Sequence, residues 1–147
     1  MSLLRKANAI IRNENIVPTY FKVGTFKSGQ EGDSFGVSLV GITGGASAAA
    51  RPVFDGDVDV LIQNRGNTVD TVAVRYINET SVVTDVKYQQ PLFDSTTLYV
   101  QVQPHTVVGI FVDVVADDGQ GSFTPAIEEI PDITKVTVQH DAVKFDS

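Results

Sequence analysis

The histidines are the residues of this sequence most able to do acid–base chemistry. His105 and His140 lie 35 positions apart, and no Gly-x-Ser-x-Gly motif accompanies either of them. General acid–base catalysis needs a histidine within hydrogen-bonding reach of a nucleophile or a carboxylate. We therefore interpret His105 as an exposed turn residue and His140, beside Asp141, as a strand-end surface residue. The sequence predicts a protein that is not an enzyme.

Aspartates are the second group that could do chemistry, as calcium ligands. Segment 55–59 carries three of them, but an EF-hand loop that began at Asp55 would need glycine at its sixth position and glutamate at its twelfth. The sequence has Val60 and Gly66 there. Calcium binding stays open as an alternative for Asp57 and Asp59, which share one strand face, and for Asp113, Asp117 and Asp118 near the loop after strand 106–115. We interpret both groups as solvated and expect no metal site and no cofactor.

The elements that would position these residues are strands. In Thr97–Gln103, apolar and polar residues alternate, which is typical of a half-buried strand. The same period of two predicts further strands near residues 17–26, 35–40, 57–63, 68–77, 82–88, 106–115 and 136–138. The short break at Pro104-His105 predicts an antiparallel hairpin between 97–103 and 106–115. Segments 116–122 and 125–131 are predicted loops. The fold class is predicted to be all-β, an antiparallel sandwich of about eight strands.

The N-terminal residues 1–15 are predicted to form an arm, either extended or a short helix, ahead of a single β-sandwich domain at 16–147. The arm is the only locally basic segment of an acidic chain, which suits a tether to a neighbouring subunit. Its candidate interface residues are Leu3, Leu4, Arg5, Lys6, Ile10, Ile11 and Arg12.

The second candidate interface is the other face of strand 106–115. Val107, Phe111 and Val115 alternate with the predicted core residues of that strand, and Leu61 and Tyr99 extend the apolar pattern. The predicted core residues are Val108, Ile110, Val112 and Val114. A strand with two apolar faces is either covered on both sides or presents a patch to a partner. Two explanations remain open. Either the arm or the Gly/Ala-rich segment 44–50 covers this second face, or the face binds a partner.

Charge and composition restrict the partners. The net charge of −7 opposes binding to nucleic acid and to anionic membranes, because both need an excess of Lys and Arg. The chain has no cysteine, which argues against a disulfide-stapled secreted domain. Arg5 and Lys6 interrupt the apolar run that a secretory signal requires, so we expect no secretion by signal peptide.

The stretch from Val58 to Val115 resembles an immunoglobulin-like or jelly-roll-type β-sandwich accessory protein. The resemblance depends on the turn at 64–67 before a strand and on the Pro-x-Thr turn at 104–106, although the Cys pair and the Trp of antibody-type domains are missing. A cysteine-free, Gly- and Val-rich sandwich with a basic arm is similar by type to a capsid decoration (cement) protein of a tailed phage. That resemblance implies a homo-oligomeric structural protein of the virion, assembled in the host cytoplasm on a capsid or other shell protein.

An alternative function is a carbohydrate-binding or adhesive module. It would use tyrosines such as Tyr76, Tyr88 and Tyr99 as platforms for sugar rings. The absence of Trp and of an export signal counts against it.

Overall fold

The computed structural model describes residues 6–27, 34–43, 58–63, 71–76, 82–92, 95–115, 121–136 and 139–144. Within these ranges the chain forms eleven strands and one short 3₁₀ helix, Ile133–Lys135. The strands are β1 Ala9–Asn13, β2 Thr19–Lys27, β3 Ser34–Thr43, β4 Val58–Gln63, β5 Thr71–Tyr76, β6 Val83–Leu92, β7 Ser95–Val102, β8 Thr106–Val115, β9 Ser122–Ile130, β10 Gln139–Asp141 and β11 Val143–Lys144. In these ranges no helix is long and apolar enough to cross a membrane.

The strands form two sheets that pack face to face. Sheet A has the order β1-β8-β3-β4-β5-β11, and sheet B has the order β10-β6-β7-β2-β9. All pairs are antiparallel except β11 with β5, which is parallel. The predicted all-β antiparallel sandwich is confirmed, with eleven strands in the described ranges instead of about eight.

The core lies between the sheets and is built from alternate residues of each strand. In β7, Leu98, Val100 and Val102 are fully buried, as the period of two predicts. The expected half-buried strand is wrong, because Thr97 and Tyr99 on the other face are also buried, each 5% exposed. Phe26 of β2 meets Phe35 of β3 edge to face, with ring centroids 5.2 Å apart, and Phe123 of β9 stacks on Phe26 at 4.5 Å. In β8, Val114 was expected in the core but is 44% exposed, because the end of β8 extends past the buried cluster.

The predicted hairpin between 97–103 and 106–115 is wrong. The turn at Pro104-His105 exists, and His105 adopts a left-handed φ of 53°. However, β7 pairs with β6 and β2 in sheet B, whereas β8 pairs with β3 and β1 in sheet A. The turn therefore carries the chain from one sheet to the other. A hairpin within one sheet and a crossing between two sheets give the same alternation of apolar and polar residues, because in both cases each strand buries one face in the same core.

The loop predicted at 125–131 is also wrong, since residues 125–130 belong to β9. Almost every β9 residue is exposed, so the strand lacks the alternation of buried apolar residues that reveals a strand in a sequence. Pro125 is tolerated because β9 is the edge of sheet B, where a missing N–H donor costs little. The segment 44–50 and the predicted turn at 64–67 lie outside the described residues. Of the loop predicted at 116–122, residues 116–120 also lie outside them, and Ser122 begins β9.

The N-terminal segment is extended where the structure describes a strand, so the helical alternative is wrong for residues 9–13. β1 pairs with β8 from Ala9↔Ile110 to Asn13↔Thr106 and forms the edge of sheet A. The predicted arm is therefore continuous with the sandwich from Ala9 onward.

A bulge in β2 shapes the edge formed by β9. The register of β2 shifts between Lys22 and Gly24 against both of its neighbours, β7 and β9. Gly24 has a φ of +151°, and a Cβ added there would lie 2.4 Å from the carbonyl oxygen of Thr124. Only glycine fits this close approach of two backbones.

Candidate functional site

The outer face of sheet A is the surface whose side chains best fit a binding role. The side chains that point away from the core form rows across neighbouring strands. One row joins Phe111, Ser38, Asp59 and Arg75. The next joins Asp113, Gly36, Leu61, Ala73 and Val143.

The two rows enclose a shallow depression of about 410 Å³. Gly36, which has no side chain, and Ala73, which has a single methyl group, form the floor of the depression. Leu61 and the charged residues Asp59, Arg75 and Asp113 complete its rim. A depression with a small-residue floor and a mixed rim can accept an apolar side chain of a partner and hydrogen-bond the groups around it.

The polar part of the rim is organised by an ion pair. The Nη2 of Arg75 lies 2.7 Å from Oδ2 of Asp59, and the Ser38 hydroxyl donates to Oδ1 of the same carboxylate at 3.4 Å. The side chains of Arg75 and Asp59 are 53% and 37% exposed, so this pair contributes no more than about 1 kcal/mol to stability. Its main effect is to fix the direction in which both groups present their remaining hydrogen-bonding atoms.

Exposed apolar side chains extend the site across the width of sheet A. Ile10 on β1 is 44% exposed, Leu61 on β4 is 40% exposed and Val143 on β11 is 60% exposed. Val107 and Phe111 on β8 are partly buried on the same outer face. Ile10 pairs with Gly109, which places it diagonally next to both.

The predicted interface residues fall into four groups. Leu3, Leu4 and Arg5 lie outside the described residues. Lys6, Ile10 and Arg12 are exposed, and Val107 and Phe111 are partly buried on the outer face of sheet A. The side chain of Val115, the last residue of β8, lies outside what the structure describes.

Two of the predicted anchors are buried instead. Ile11 is fully buried, because in β1 the odd-numbered residues face the core. Tyr99 is 5% exposed and belongs to sheet B, on the opposite side of the molecule from Phe111. The structure thus brings Ile10, Val107 and Phe111 together and separates Tyr99 from them.

Sequence reasoning missed Val143 and the Asp59–Arg75 pair. Val143 lies in a two-residue strand, which is too short for a periodic signal. Asp59 was weighed as a calcium ligand, and its partner Arg75 is 16 positions away on the next strand. The alternation on both strands, read together with a β4–β5 hairpin, could have placed the pair in register.

The outer face of sheet B carries a second polar cluster. The Tyr20 hydroxyl donates to Asp85, and Lys87 is hydrogen-bonded to Asp141 and lies 3.6 Å from Asp85. Burial, together with the bond to Asp85, raises the pKa of Tyr20 above its ordinary value. The hydrogen bond to Asp141 raises the pKa of Lys87, against the effect of its desolvation. The polar groups of this cluster are therefore hydrogen-bonded or ion-paired to one another.

The tyrosines expected as sugar platforms are not presented for that role. Tyr76 and Tyr88 pack against the core, and the ring of Tyr88 lies 5.3 Å from that of His140. Tyr99 is nearly covered. A sugar-stacking platform needs an open aromatic face, which these three residues do not offer.

The two histidines lie far apart in the fold. His105 is exposed in the turn between the sheets, and His140 is exposed on the edge strand β10. In the described part of the chain, no three His, Cys, Asp or Glu residues come together in a way that could hold a metal ion.

No protein-family model matches the chain, and no curated protein matches it. Among solved structures, the chain is similar to WceF of Pantoea stewartii, described as a glycan biofilm modifying enzyme with a bacteriophage tailspike-like parallel β-helix fold. The TM-score is 0.75 at 13% identity, over 97% of this chain and 23% of WceF. The likeness shows that this two-sheet β fold recurs as about a quarter of a much longer chain.

Proposed function

We propose that this chain is a non-enzymatic structural protein of a virion, a capsid decoration (cement) or other head-associated protein, assembled in the host cytoplasm. In this proposal the outer face of sheet A binds a shell protein and stabilises the larger assembly. The observation that carries the proposal is the set of exposed apolar side chains around the depression on that face, from Ile10 to Leu61 and Val143.

The dimensions of sheet A suit a flat partner. Six strands at a spacing of about 4.8 Å give a face roughly 24 Å wide, and β8 is about 33 Å long. A stable protein interface buries about 800 Å² on each partner, which such a face can supply. Leu61 lines the depression, so a partner side chain that fills the depression would cover Leu61 and exclude water from it.

The comparison with WceF supports a role as a unit of something larger. The shared fold makes up 23% of that chain, and WceF is described as having a bacteriophage tailspike-like parallel β-helix fold. A sandwich that is built to pack against other parts needs an outer face with apolar side chains, as sheet A has.

The test is a substitution on the docking face with a matched control elsewhere. Leu61→Asp is expected to weaken binding to empty capsids of the virus that encodes the chain by about tenfold or more, because a carboxylate would be desolvated beside the depression. Ile127→Asp, on β9 at a similar exposure of 38%, should leave binding unchanged. Co-sedimentation of each purified variant with the capsids gives the readout.

Two outcomes would contradict the proposal. One is that the unsubstituted chain fails to sediment with the capsids at all. The other is equal loss of binding in both variants. Deletion of residues 1–13 is a poorer test, because it also removes the fully buried Ile11 and with it part of the core.

A carbohydrate-binding or adhesive module is the second candidate. It is favoured by the description of WceF as glycan-modifying and by the hydrogen-bonding side chains on the outer face of sheet B, such as Tyr20, Gln101 and Gln89. A glycan array probed with and without calcium tests it. Binding that is lost in Tyr20→Ala and retained in Leu61→Asp would support this candidate over the first.

A further inference from the structure

The loop between β1 and β2, residues 14–18, presents an apolar tip. Ile16 is 81% exposed and Val17 is 54% exposed. Ile16 is more exposed than any other large hydrophobic residue in the described ranges. The two neighbouring side chains give a bound partner apolar surface to cover.

The tip is held in place by a buried asparagine. Asn13 is 1% exposed, and its side-chain amide donates to the carbonyl oxygens of Val17, Val102 and Gln103 at 3.2, 2.9 and 3.1 Å. Its Oδ1 accepts from the backbone N–H of Asn15 at 3.0 Å. One buried side chain thus ties the loop to the end of β7. A loop ordered in this way loses little conformational entropy when a partner binds.

A small groove lies beside the tip and is acidic. It has a volume of about 260 Å³ and runs between Val17 and Pro18 on one side and Ile130 and Pro131 on the other. Glu129 lines it and accepts a hydrogen bond from Asn15. Glu129 is the charged residue among those that line the groove, and Glu14 precedes the lining residue Asn15 in the sequence. Arg12 and Lys135, the cations nearest to Glu14 and to Glu129 along the chain, do not line the groove.

The chemistry of the groove specifies a ligand with apolar side chains next to positive charge. Two adjacent cations occur at one place in the sequence, in the segment Leu3-Leu4-Arg5-Lys6, where two leucines precede them. We propose that the groove beside the 14–18 loop binds the N-terminal segment 3–6 of a second copy of this chain. One leucine would contact Val17 and Ile130 in the groove, and the other would cover Ile16 at the tip beside it. Arg5 and Lys6 would lie near Glu129, which lines the groove, and near Glu14 in the same loop.

The topology explains why a second copy is the occupant. Segment 3–6 precedes β1, whereas the groove lies where β1 ends, and the five residues of β1 span about 17 Å. A segment binding to its own groove would have to reverse and run back along the whole strand. Binding between copies needs no reversal. The contact is head to tail, so copies assemble into a ring or a filament, depending on the angle between them.

The experiment uses a fluorescent peptide with the sequence of residues 1–8, titrated with the full chain and followed by anisotropy. Saturable binding is expected, weakened by about tenfold or more in Ile16→Asp and in the double variant Glu14→Lys with Glu129→Lys. A peptide with Arg5→Glu and Lys6→Glu should bind the unsubstituted chain poorly and bind the lysine double variant better than the native peptide does.

Glu129→Lys alone should weaken binding too. Its matched control is Glu128→Lys, which makes the same change of charge one residue away on the opposite face of β9. It should leave the affinity for the peptide within about twofold. Light scattering of the full chain should show oligomers that dissociate in Ile16→Asp. Because Ile16 is so exposed, this variant is expected to fold, and circular dichroism checks that it does.

The proposal is overturned if the peptide does not bind, if Glu128→Lys weakens it as much as the double variant does, or if the reversed charges fail to restore affinity. A full chain that stays strictly monomeric at high concentration overturns it as well. Failure of these arms leaves the capsid test of Leu61 intact, because the groove and the outer face of sheet A share no residue.

Discussion

The two lateral sides of the sandwich are built differently. On one side, β10 pairs with β6 of sheet B and β11 pairs with β5 of sheet A. Ala142 connects these two short strands and so crosses from one sheet to the other. Ala142 is 9% exposed, and its N–H donates to the carbonyl of Val86 at 3.1 Å. On the other side, β1 and β9 are the outermost strands of their sheets in the described ranges. We call these the closed side and the open side.

The difference shows where stability and recognition are placed. Two very short strands and one buried alanine cover both sheet edges on the closed side. The open side carries the exposed edge β9, which Pro125, Glu128 and Glu129 protect from pairing with other strands. It also carries the apolar 14–18 loop. A partner can therefore reach the open side without displacing any part of the chain that the structure describes.

The largest effect is expected on the closed side. Ala142→Asp should lower the free energy of unfolding by about 3 kcal/mol, because a buried carboxylate would lose its hydration without a partner in place. Val143→Asp changes the next residue, which is 60% exposed, and should stay within about 0.5 kcal/mol. Urea denaturation of both variants measures the difference. Equal losses would show that the crossing at Ala142 does not close this side.

A smaller effect is expected at the bulge on the open side. Gly24→Ala should cost about 2 kcal/mol, because alanine would need a φ of +151° and would collide with the Thr124 carbonyl. The control is Gly36→Ala, where an added Cβ meets nothing within 4 Å and the loss should be about 0.5 kcal/mol or less. Amide hydrogen exchange should show β9 opening first in Gly24→Ala. Uniform opening of all strands would contradict the view of β9 as a separable edge.

The smallest effect concerns alkaline pH and compares one tyrosine from each side. Burial raises the pKa of Tyr76, beside β11, to about 12, and burial together with the bond to Asp85 raises that of Tyr20, beside β9. A raised pKa in the folded state contributes stability that is complete below the ordinary value of 10.0 and is lost as the pH climbs through the folded value.

Melting temperature should therefore be insensitive to tyrosine ionisation below about pH 10 and fall between about pH 10 and 12. Tyr76→Phe should make that fall shallower, since the ionisable group is gone. Tyr20→Phe should also make it shallower from about pH 10 upward, because its pKa is raised from the same ordinary value. Thermal denaturation monitored by circular dichroism across this range is the measurement. An unchanged slope in Tyr76→Phe would show that its burial does not couple to folding.

Prediction from the sequence succeeded where burial alternates along a strand. The strand 106–115 was placed at its observed bounds, because residues such as Val108 and Ile110 face the core in strict alternation. It failed for β9, whose residues are nearly all exposed, and for the pairing of β7, which depends on which sheet the chain enters after Pro104-His105.

The candidate site was predicted only in part, for a related reason. Phe111 and Val107 were identified because apolar residues on the second face of a strand stand out in a sequence. The Asp59–Arg75 pair was not identified, because it depends on the register of two strands. Ile11 was assigned to a surface because composition alone does not distinguish it from Ile10, its exposed neighbour.

The sequence by itself determined that this chain forms strands, that they alternate about a single core, and that acidic and basic-apolar segments are kept apart. These properties depend on the order of neighbouring residues, which sets the period and the local charge. Only the tertiary structure decided that one side of the sandwich is closed at Ala142 while the other presents β9 and the 14–18 loop. The pairing of distant strands is decided by the packing of the two sheets against each other, a choice that no local pattern contains.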